Sequence, residues 1–231
     1  MAIHEFFSAC NYFFMVLTLA VFALASFVQK KTKLVILNPI LISAAILMLI
    51  LSVLNIPNAQ YQAGCAMLSY LLTPATICLA IGFYQQFQTL KKHLWAIFVG
   101  TAAGTVCSLG FVWAACKLCG LDQTVIMSLL PKSITTAIGT ALAEELGGVA
   151  AITTFVIAIT GIFGNIAGPA LSKLLKIRGA IPQGVAFGTA SHVMGTTRAT
   201  ELCALTGAVS SLSLTIAGLL TVVLLSFAAQ F

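Results

Sequence analysis

Long uninterrupted runs of apolar residues constrain this chain more than any other feature of its sequence. Several reach about 18 residues or more, the length that an α-helix needs to cross a bilayer. Of the 231 residues, 60% are hydrophobic and only 7% are charged, a balance that is not expected of a water-soluble domain. The runs are continuous rather than alternating, so a β-barrel is not favoured. The sequence therefore predicts an all-α polytopic membrane protein, with one transmembrane domain over residues 1–231.

Eight apolar segments follow one another, separated by basic or turn-forming residues. They cover about residues 5–28, 34–54, 61–87, 94–115, 122–147, 149–171, 181–202 and 204–227. The fifth and seventh segments differ from the others because they carry many polar side chains. Polar groups at membrane depth are costly and usually mark a substrate or ion path, so these two segments are the candidates for function.

The distribution of basic residues indicates how the segments cross the membrane. If all eight cross, Lys30, Lys31, Lys33, Lys91 and Lys92 lie opposite Lys117, Lys173, Lys176 and Arg178, which gives no bias. If segments 122–147 and 181–202 dip in and return, only Lys117 lies outside, as the positive-inside rule favours. We therefore predict six spans and two re-entrant or broken segments, with both termini outside. The breaks are expected at Pro131, Gly184, Gly188 and Gly195.

A short internal similarity indicates two related halves. Residues 74–82 align with residues 131–139 and keep proline, two isoleucines, alanine and glycine in place. In the predicted topology the two copies run in opposite directions. An inverted repeat of this kind is typical of transporters.

The polar residues of the fifth and seventh segments indicate a site for a small organic anion. Lys132 and Arg198 supply two cations, and Arg198 has the planar fork that matches a carboxylate. A half-helix that begins near Pro131 would add its positive dipole end. The predicted substrate-binding residues are Lys132, Ser133, Thr135, Thr136, Ser191, His192, Thr196, Thr197 and Arg198.

Other interpretations of the charged residues stay open. Arg198 and Glu201 are three residues apart and can pair with each other on a helix. His192 has two interpretations. It is a candidate for proton coupling, because its charge changes near neutral pH, or it is a buried, hydrogen-bonded histidine of the core. Glu144 and Glu201 are further proton-coupling candidates, although the Glu144-Glu145 pair also fits a solvated exit from the membrane.

The sequence offers little support for an enzyme. It has neither the G-x-S-x-G elbow of serine hydrolases nor the H-E-x-x-H pattern of zinc proteases. Cys116 and Cys119 form an isolated CxxC, without a second pair or a nearby histidine, and are interpreted as packing residues. No metal or other cofactor is predicted. The net charge of +6 reflects loop orientation, so no nucleic-acid partner is expected.

Two motifs resemble the signatures of one membrane protein family. They are Pro131-Lys132-Ser133-Ile134-Thr135-Thr136, followed by Gly147-Gly148, and the stretch Gly188-Thr189-Ala190-Ser191-His192 that continues through Gly195-Thr196 and Arg198 to Glu201. Together they resemble the LrgB/CidB family over nearly the whole chain. Bacterial members are described as antiholin- or holin-like modulators of murein hydrolase activity and autolysis, which usually act beside a small LrgA/CidA partner. The family's domain also occurs in a plastid glycolate/glycerate translocator, and bacterial members are linked to pyruvate movement.

The residues and the resemblance together predict a multi-pass protein of the bacterial inner membrane. It would carry a small monocarboxylate such as glycolate, glycerate or pyruvate by alternating access. The alternative is a holin-like regulator of cell-wall hydrolases that acts with an LrgA/CidA-type partner. A homodimer is expected. The substrate, the coupling ion and the direction of transport stay open.

Overall fold

In the computed structural model, the described residues are 12–32, 39–71, 87–228 and the single positions 74, 77 and 84. All regular structure in these residues is helical, and the chain divides into two compact units, Met1–Cys78 and Leu79–Phe231. The all-α class is therefore confirmed. The prediction of one domain over residues 1–231 stays a prediction.

The first unit contains four helices among its described residues. They are α1 (Phe13–Thr32), α2 (Pro39–Val53), α3 (Asn58–Gly64) and α4 (Ala66–Tyr70). The predicted third segment is not one continuous helix from its start, because α3 ends at Gly64 and α4 starts at Ala66. Most of residues 72–86 lie outside the described part, so the internal similarity at 74–82 stays a prediction.

Within the described ranges, four helices are long and apolar enough to cross a membrane. They cover Phe13–Thr32, Leu90–Leu118, Ala150–Leu174 and Ala204–Ala228, and a shorter apolar helix covers Ile42–Val53. The four long helices correspond to the first, fourth, sixth and eighth predicted segments, and the shorter helix corresponds to the second. The polytopic membrane architecture is thus confirmed for the part of the chain that the structure describes.

The second unit contains six helices among its described residues. They are α5 (Phe87–Leu118), α6 (Gln123–Leu129), α7 (Thr136–Glu145), α8 (Ala150–Leu174), α9 (Ala180–Leu202) and α10 (Ala204–Ala228). One buried apolar cluster gathers Val112, Cys116, Ile126, Leu130, Ile134, Leu142 and Leu225, and a second gathers Leu90, Ile97, Ala208 and Val209.

The helices of this unit run in alternating directions. On α5, Gly100 faces Val185 and Gly104 faces Thr189, so α5 runs parallel to the first part of α9. On α8, Gly161 faces His192 and Gly168 faces Phe187, so α8 runs antiparallel to it. The start of α5 and the end of α8 therefore lie at the same end of the unit.

That geometry separates charge between two ends of the second unit. The basic end carries Lys91, Lys92, Lys173, Lys176 and Arg178, and the acidic end carries Lys117, Asp122, Glu144 and Glu145. The basic residues thus cluster as the re-entrant topology predicted.

The first hairpin, residues 123–145, enters from the acidic end and returns to it. Helix α6 ends at Leu129, and α7 starts at Thr136 after a turn. Beyond α7, Gly148 packs against Ser128, and the N–H of Val149 donates to Ser128 Oγ at 2.7 Å. The chain therefore comes back beside α6 instead of crossing.

The second hairpin, residues 180–202, enters from the basic end. In its first arm, Gly184 faces Thr206 and Val209 and Gly188 faces Ser210 and Ser213, so this arm runs parallel to α10. In its second arm, Thr196 contacts Ser210 and Thr200 contacts Gly207, so this arm runs antiparallel to α10. Since the two arms run in opposite directions, the segment turns back, as predicted.

The break of the first hairpin lies at the predicted proline, whereas the break of the second hairpin does not lie at the predicted glycines. The second hairpin turns at Ser191 (φ −132°, ψ 16°) and His192 (φ 42°, ψ −138°), not at Gly184, Gly188 or Gly195. Those glycines instead permit close packing, for example of Gly195 against the Phe187 carbonyl. In the first hairpin, α6 does end just before Pro131, but the next half-helix begins at Thr136 rather than near the proline.

Candidate functional site

The tip of the first hairpin reaches α5 through a small group of polar side chains. Lys132 Nζ donates to Ser133 Oγ at 2.9 Å and to Ser108 Oγ at 3.4 Å, and the two serine oxygens are 3.4 Å apart. The second hairpin brings Thr189 to the same place, where Thr189 and Ser108 line a common cavity. Two re-entrant tips from opposite ends thus meet beside α5.

Lys132 has no acidic partner in the described part of the chain. The chain contains five acidic residues in total, and four of them are described. The ion pair that these residues form is Arg198–Glu201, and it does not involve Lys132. Lys132 is partly buried, and taking an ammonium out of water is costly unless it is paired. Its environment therefore favours an anion.

An open cleft of about 540 Å³ leads to Lys132 between α5 and the first arm of the second hairpin. Its walls are small or apolar, with Gly100 and Gly104 on α5 and Val185 and Ala186 on the facing arm. Its polar residues are Lys132, Ser108 and Thr189. The volume lies within the ~300–1,000 Å³ common for small-molecule sites. An apolar approach that ends in a few polar groups is typical of such sites.

A second, smaller cavity of about 10 Å³ lies beside the cleft. Ser108 and Thr189 line both spaces, and Thr105 and Ser133 line the small one. The hydroxyls of Thr105 and Thr189 are buried and have no hydrogen-bond partner among the described residues. A space of this size holds about one water-sized atom.

His192 and Ser191 lie at the tip of the second hairpin but line neither space. His192 is 4% exposed, and its Nε2–H donates to the Ile157 carbonyl of α8 at 2.8 Å. Ser191 packs on Gly164 of the same helix. These contacts attach the tip of the second hairpin to α8.

The structure does not bring Arg198 to Lys132. Arg198 lies six residues after His192, which is about 9 Å along a helix, and it pairs with Glu201. The Thr196 hydroxyl is buried, donates to the His192 carbonyl at 3.0 Å and contacts Ser210 Oγ at 2.8 Å. Thr197 is exposed and donates to the Val193 carbonyl. The substrate-binding role of these three residues stays a prediction.

The remaining predicted site residues lie on α7 or at the end of the second hairpin. Thr135 precedes α7 and makes no side-chain capping hydrogen bond, while Thr136 is exposed. Glu144 is exposed in the last turn of α7, and Glu201 is exposed beside Arg198. No group of three or more metal-ligating side chains occurs in the part of the chain that the structure describes.

The sequence-based site omitted three residues of these two spaces: Ser108 and Thr189, which line the cleft with Lys132, and Thr105, which lines the small cavity. A usable signal was present on α5, because Thr101, Thr105 and Ser108 are spaced by four and three residues and so share one helix face.

Comparison with known proteins shows the family to which this chain belongs. Residues 18–231 match the LrgB-like family. The chain is 32% identical over 215 residues, or 93% of this chain and 94% of each relative, to proteins named antiholin-like protein LrgB from Bacillus mycoides (strain KBAB4), Bacillus cereus (strain B4264) and Bacillus anthracis (strain CDC 684 / NRRL 3495). No solved structure matches this chain. With both polar motifs placed at the two hairpin tips and the family match extending over nearly its full length, this chain belongs to the LrgB-like family.

Proposed function

We propose that this protein is an antiholin-like membrane protein that helps to control cell-wall hydrolases, and that it does so by binding and moving a small monocarboxylate. The names of its relatives support the first half of the proposal better than the second. The geometry of the hairpin tips supports the second half.

One observation carries the transport half, namely the ammonium of Lys132 at the end of an open cleft. Its hydrogen-bond partners in the described residues are the hydroxyls of Ser133 and Ser108, which leave its positive charge uncompensated. A carboxylate would pair with that charge and accept hydrogen bonds. Helix α7 begins four residues later, and its N-terminal amide groups add a favourable field for an anion.

The two hairpins offer a way for the bound anion to reach both sides of a membrane. They enter from opposite ends of the second unit, and their tips meet at the proposed site. Broken helices that meet at mid-depth are a common basis of alternating access. The substrate class we propose is glycolate, glycerate or pyruvate, driven by a proton or by the substrate gradient, with His192, Glu144 and Glu201 as the candidates for proton coupling.

The second candidate function is regulation without transport. In this case the protein would act as a holin-like regulator through a small LrgA/CidA-type membrane partner, and no acid would move. The relatives' name, antiholin-like protein, favours this function. In both cases we propose a non-catalytic, multi-pass protein of the bacterial inner membrane that forms a homodimer.

Uptake into proteoliposomes separates the two candidates. Purified protein is reconstituted and offered radiolabelled glycolate, glycerate or pyruvate, with and without an inward proton gradient. Saturable uptake by the wild type, lost in Lys132→Ala, supports transport. Lys117→Ala is the matched control, because Lys117 lies exposed at the acidic end of the same unit. Uptake at the wild-type rate in Lys132→Ala would contradict the assignment of this lysine.

The cellular role needs its own readout. Cells that produce wild-type, Lys132→Ala or Lys117→Ala protein are compared for their rate of autolysis. If the regulatory role depends on transport, Lys132→Ala alone behaves like the deletion. If Lys132→Ala regulates autolysis normally and the wild type takes up no acid, the second candidate is correct.

A further inference from the structure

Two buried hydroxyls of the small cavity beside the Lys132 cleft have nothing to bind within the described chain. Thr105 is 4% exposed and Thr189 is 7% exposed, and the hydroxyl of each lacks a hydrogen-bond partner. A buried polar group without a partner is costly, so native proteins rarely keep one without a reason. Both side chains line the same small cavity, which makes a shared ligand atom the simplest reason.

The size and position of that cavity restrict what this atom is. At about 10 Å³ it holds one oxygen-sized atom and is too small for a whole acid. It adjoins the open cleft at Ser108 and Thr189, which line both spaces. A ligand in the cleft, paired with Lys132, can therefore place one of its oxygens in the cavity while the rest of the molecule stays in the cleft.

We infer that Thr105 and Thr189 are anion-binding residues, whose hydroxyls both donate to one oxygen of a carboxylate that Lys132 holds. This inference rests on the proposed function and names two members of its site. A carboxylate has two oxygens and accepts about four hydrogen bonds. One oxygen then faces the Lys132 ammonium, and the other faces the two threonine hydroxyls. The arrangement selects a two-oxygen anion over a monatomic anion such as chloride.

The same contacts would join three structural elements through the ligand. Thr105 belongs to α5, Lys132 to the first hairpin and Thr189 to the second hairpin. Gly104 lets Thr189 approach α5 closely, because a methyl group added at Gly104 would lie 2.9 Å from Thr189 Cγ2. A bound carboxylate therefore holds the two hairpin tips against α5, and its departure releases them.

Direct binding measurements test the inference. Full-length protein in lipid nanodiscs is titrated with glycolate, glycerate and pyruvate, and with sodium chloride at matched ionic strength. We expect Thr105→Val and Thr189→Val to weaken binding of the acid by about tenfold or more, the loss typical of a hydrogen bond to a charged group. Thr189→Ser keeps the hydroxyl and should bind the acid almost as the wild type does.

Thr101→Val is the matched control for both variants. Thr101 lies on the same helix, is fully buried, and also has an unpaired hydroxyl, but it lines neither space. It should bind the acid as the wild type does. Without ligand, all three valine variants should unfold at the wild-type temperature or above it, because each removes an unpaired buried hydroxyl.

The outcomes separate the inference from the function on which it rests. If the wild type binds an acid and Thr105→Val and Thr189→Val bind it equally well, the inference is wrong and the proposed function stands. An equal loss in Thr101→Val would also overturn it, since the effect would then come from helix packing. If the folded wild type binds none of the three acids, the proposed function fails and the inference fails with it.

Discussion

The side chain of His192 is hydrogen-bonded to the backbone of Ile157, with 2.8 Å between Nε2 and the carbonyl oxygen. His192 is also the residue at which the second hairpin reverses, and its φ of 42° is rare for a residue other than glycine. The same residue thus turns the chain and attaches the turn to α8. The cost of the unusual backbone must be offset by this attachment and by burial.

His192 substitutions should separate these two contributions. His192→Ala loses the hydrogen bond and leaves a cavity, so we expect it to lower the free energy of unfolding by about 2 kcal/mol or more. His192→Gly loses the same contacts but relieves the backbone, so it should be about 1 kcal/mol less damaging. SDS-induced unfolding in mixed micelles measures both. The control is His93→Ala, at an exposed position of α5, which should leave the free energy of unfolding nearly unchanged. If His192→Gly and His192→Ala lower the free energy of unfolding equally, the turn carries no strain.

The packing of the second hairpin on α8 depends on glycine at position 164. A methyl group added there would collide with the Ser191 side chain. Gly164→Ala should therefore destabilise the protein by about 1–3 kcal/mol through overpacking. It should also reduce uptake, because the hairpin tip moves.

Gly110→Ala is the control for this variant. No described atom lies within 4 Å of a methyl group added at Gly110, so the gain in helix propensity should stabilise the protein by about 0.5–1 kcal/mol. Thermal unfolding of both variants checks the difference, and a neutral Gly164→Ala would contradict this packing.

The Arg198–Glu201 pair is partly exposed and should contribute little to stability. The side chains are 34% and 56% exposed, and pairs of this kind are worth about 0.2–1 kcal/mol. A double-mutant cycle of Arg198→Ala and Glu201→Ala, measured by unfolding at low and high salt, should give a coupling energy in this range that falls with salt.

The same two variants test the predicted substrate role of Arg198. Because Arg198 does not line the cleft, both variants should keep the wild-type affinity for the acid in the nanodisc titration. A large loss of affinity for the acid in Arg198→Ala, with the affinity of Glu201→Ala unchanged, would show that Arg198 does bind the substrate.

Cysteine labelling can test whether the second hairpin returns to the side from which it came. Cys203 lies between the end of this hairpin and the start of α10, and the backbone N–H groups of Leu205 and Thr206 lower the pKa of its thiol. The lowered pKa increases the thiolate fraction near neutral pH, so Cys203 should react readily with maleimides. In a protein that keeps only Cys203, a membrane-impermeant maleimide should label it from the cytoplasmic side, where the positive-inside rule places the basic end.

Cys119 provides the reference for this labelling. It is exposed just beyond α5, at the acidic end, and a protein that keeps only Cys119 should be labelled from the opposite side. A variant whose one cysteine comes from Lys176→Cys, exposed between α8 and the second hairpin, should be labelled from the same side as Cys203. Labelling of these two positions from opposite sides would mean that residues 181–202 cross the membrane completely.

Much of the fold followed from the sequence, because the cost of burying backbone in lipid restricts it to helices of predictable length. The apolar runs located α1, α5, α8 and α10, and the positions of the basic residues indicated that residues 122–147 and 181–202 turn back. Pro131 also marked the end of α6 correctly, since proline lacks the backbone N–H that an interior helical position needs.

The turn of the second hairpin was placed wrongly because local preference and tertiary packing favour different residues. Glycine is the usual residue for positive φ, so Gly184, Gly188 and Gly195 were the natural candidates. In the folded protein these glycines are needed where helices approach most closely. The reversal falls instead on His192, which has a long side chain that can reach the Ile157 carbonyl. No local pattern encodes that contact.

The sequence by itself determined the class of this protein and the residue types of its site: an all-α membrane protein with Lys132 and a set of hydroxyls in two polar segments. Only the tertiary structure decided which of these residues meet. It placed Lys132 beside Ser108 and Thr189, with Thr105 in the neighbouring small cavity, and it left Arg198 paired with Glu201. The physical reason is that hydrophobic patterning sets which segments lie in the membrane, whereas the packing of one helix against another sets which polar side chains lie within hydrogen-bonding distance.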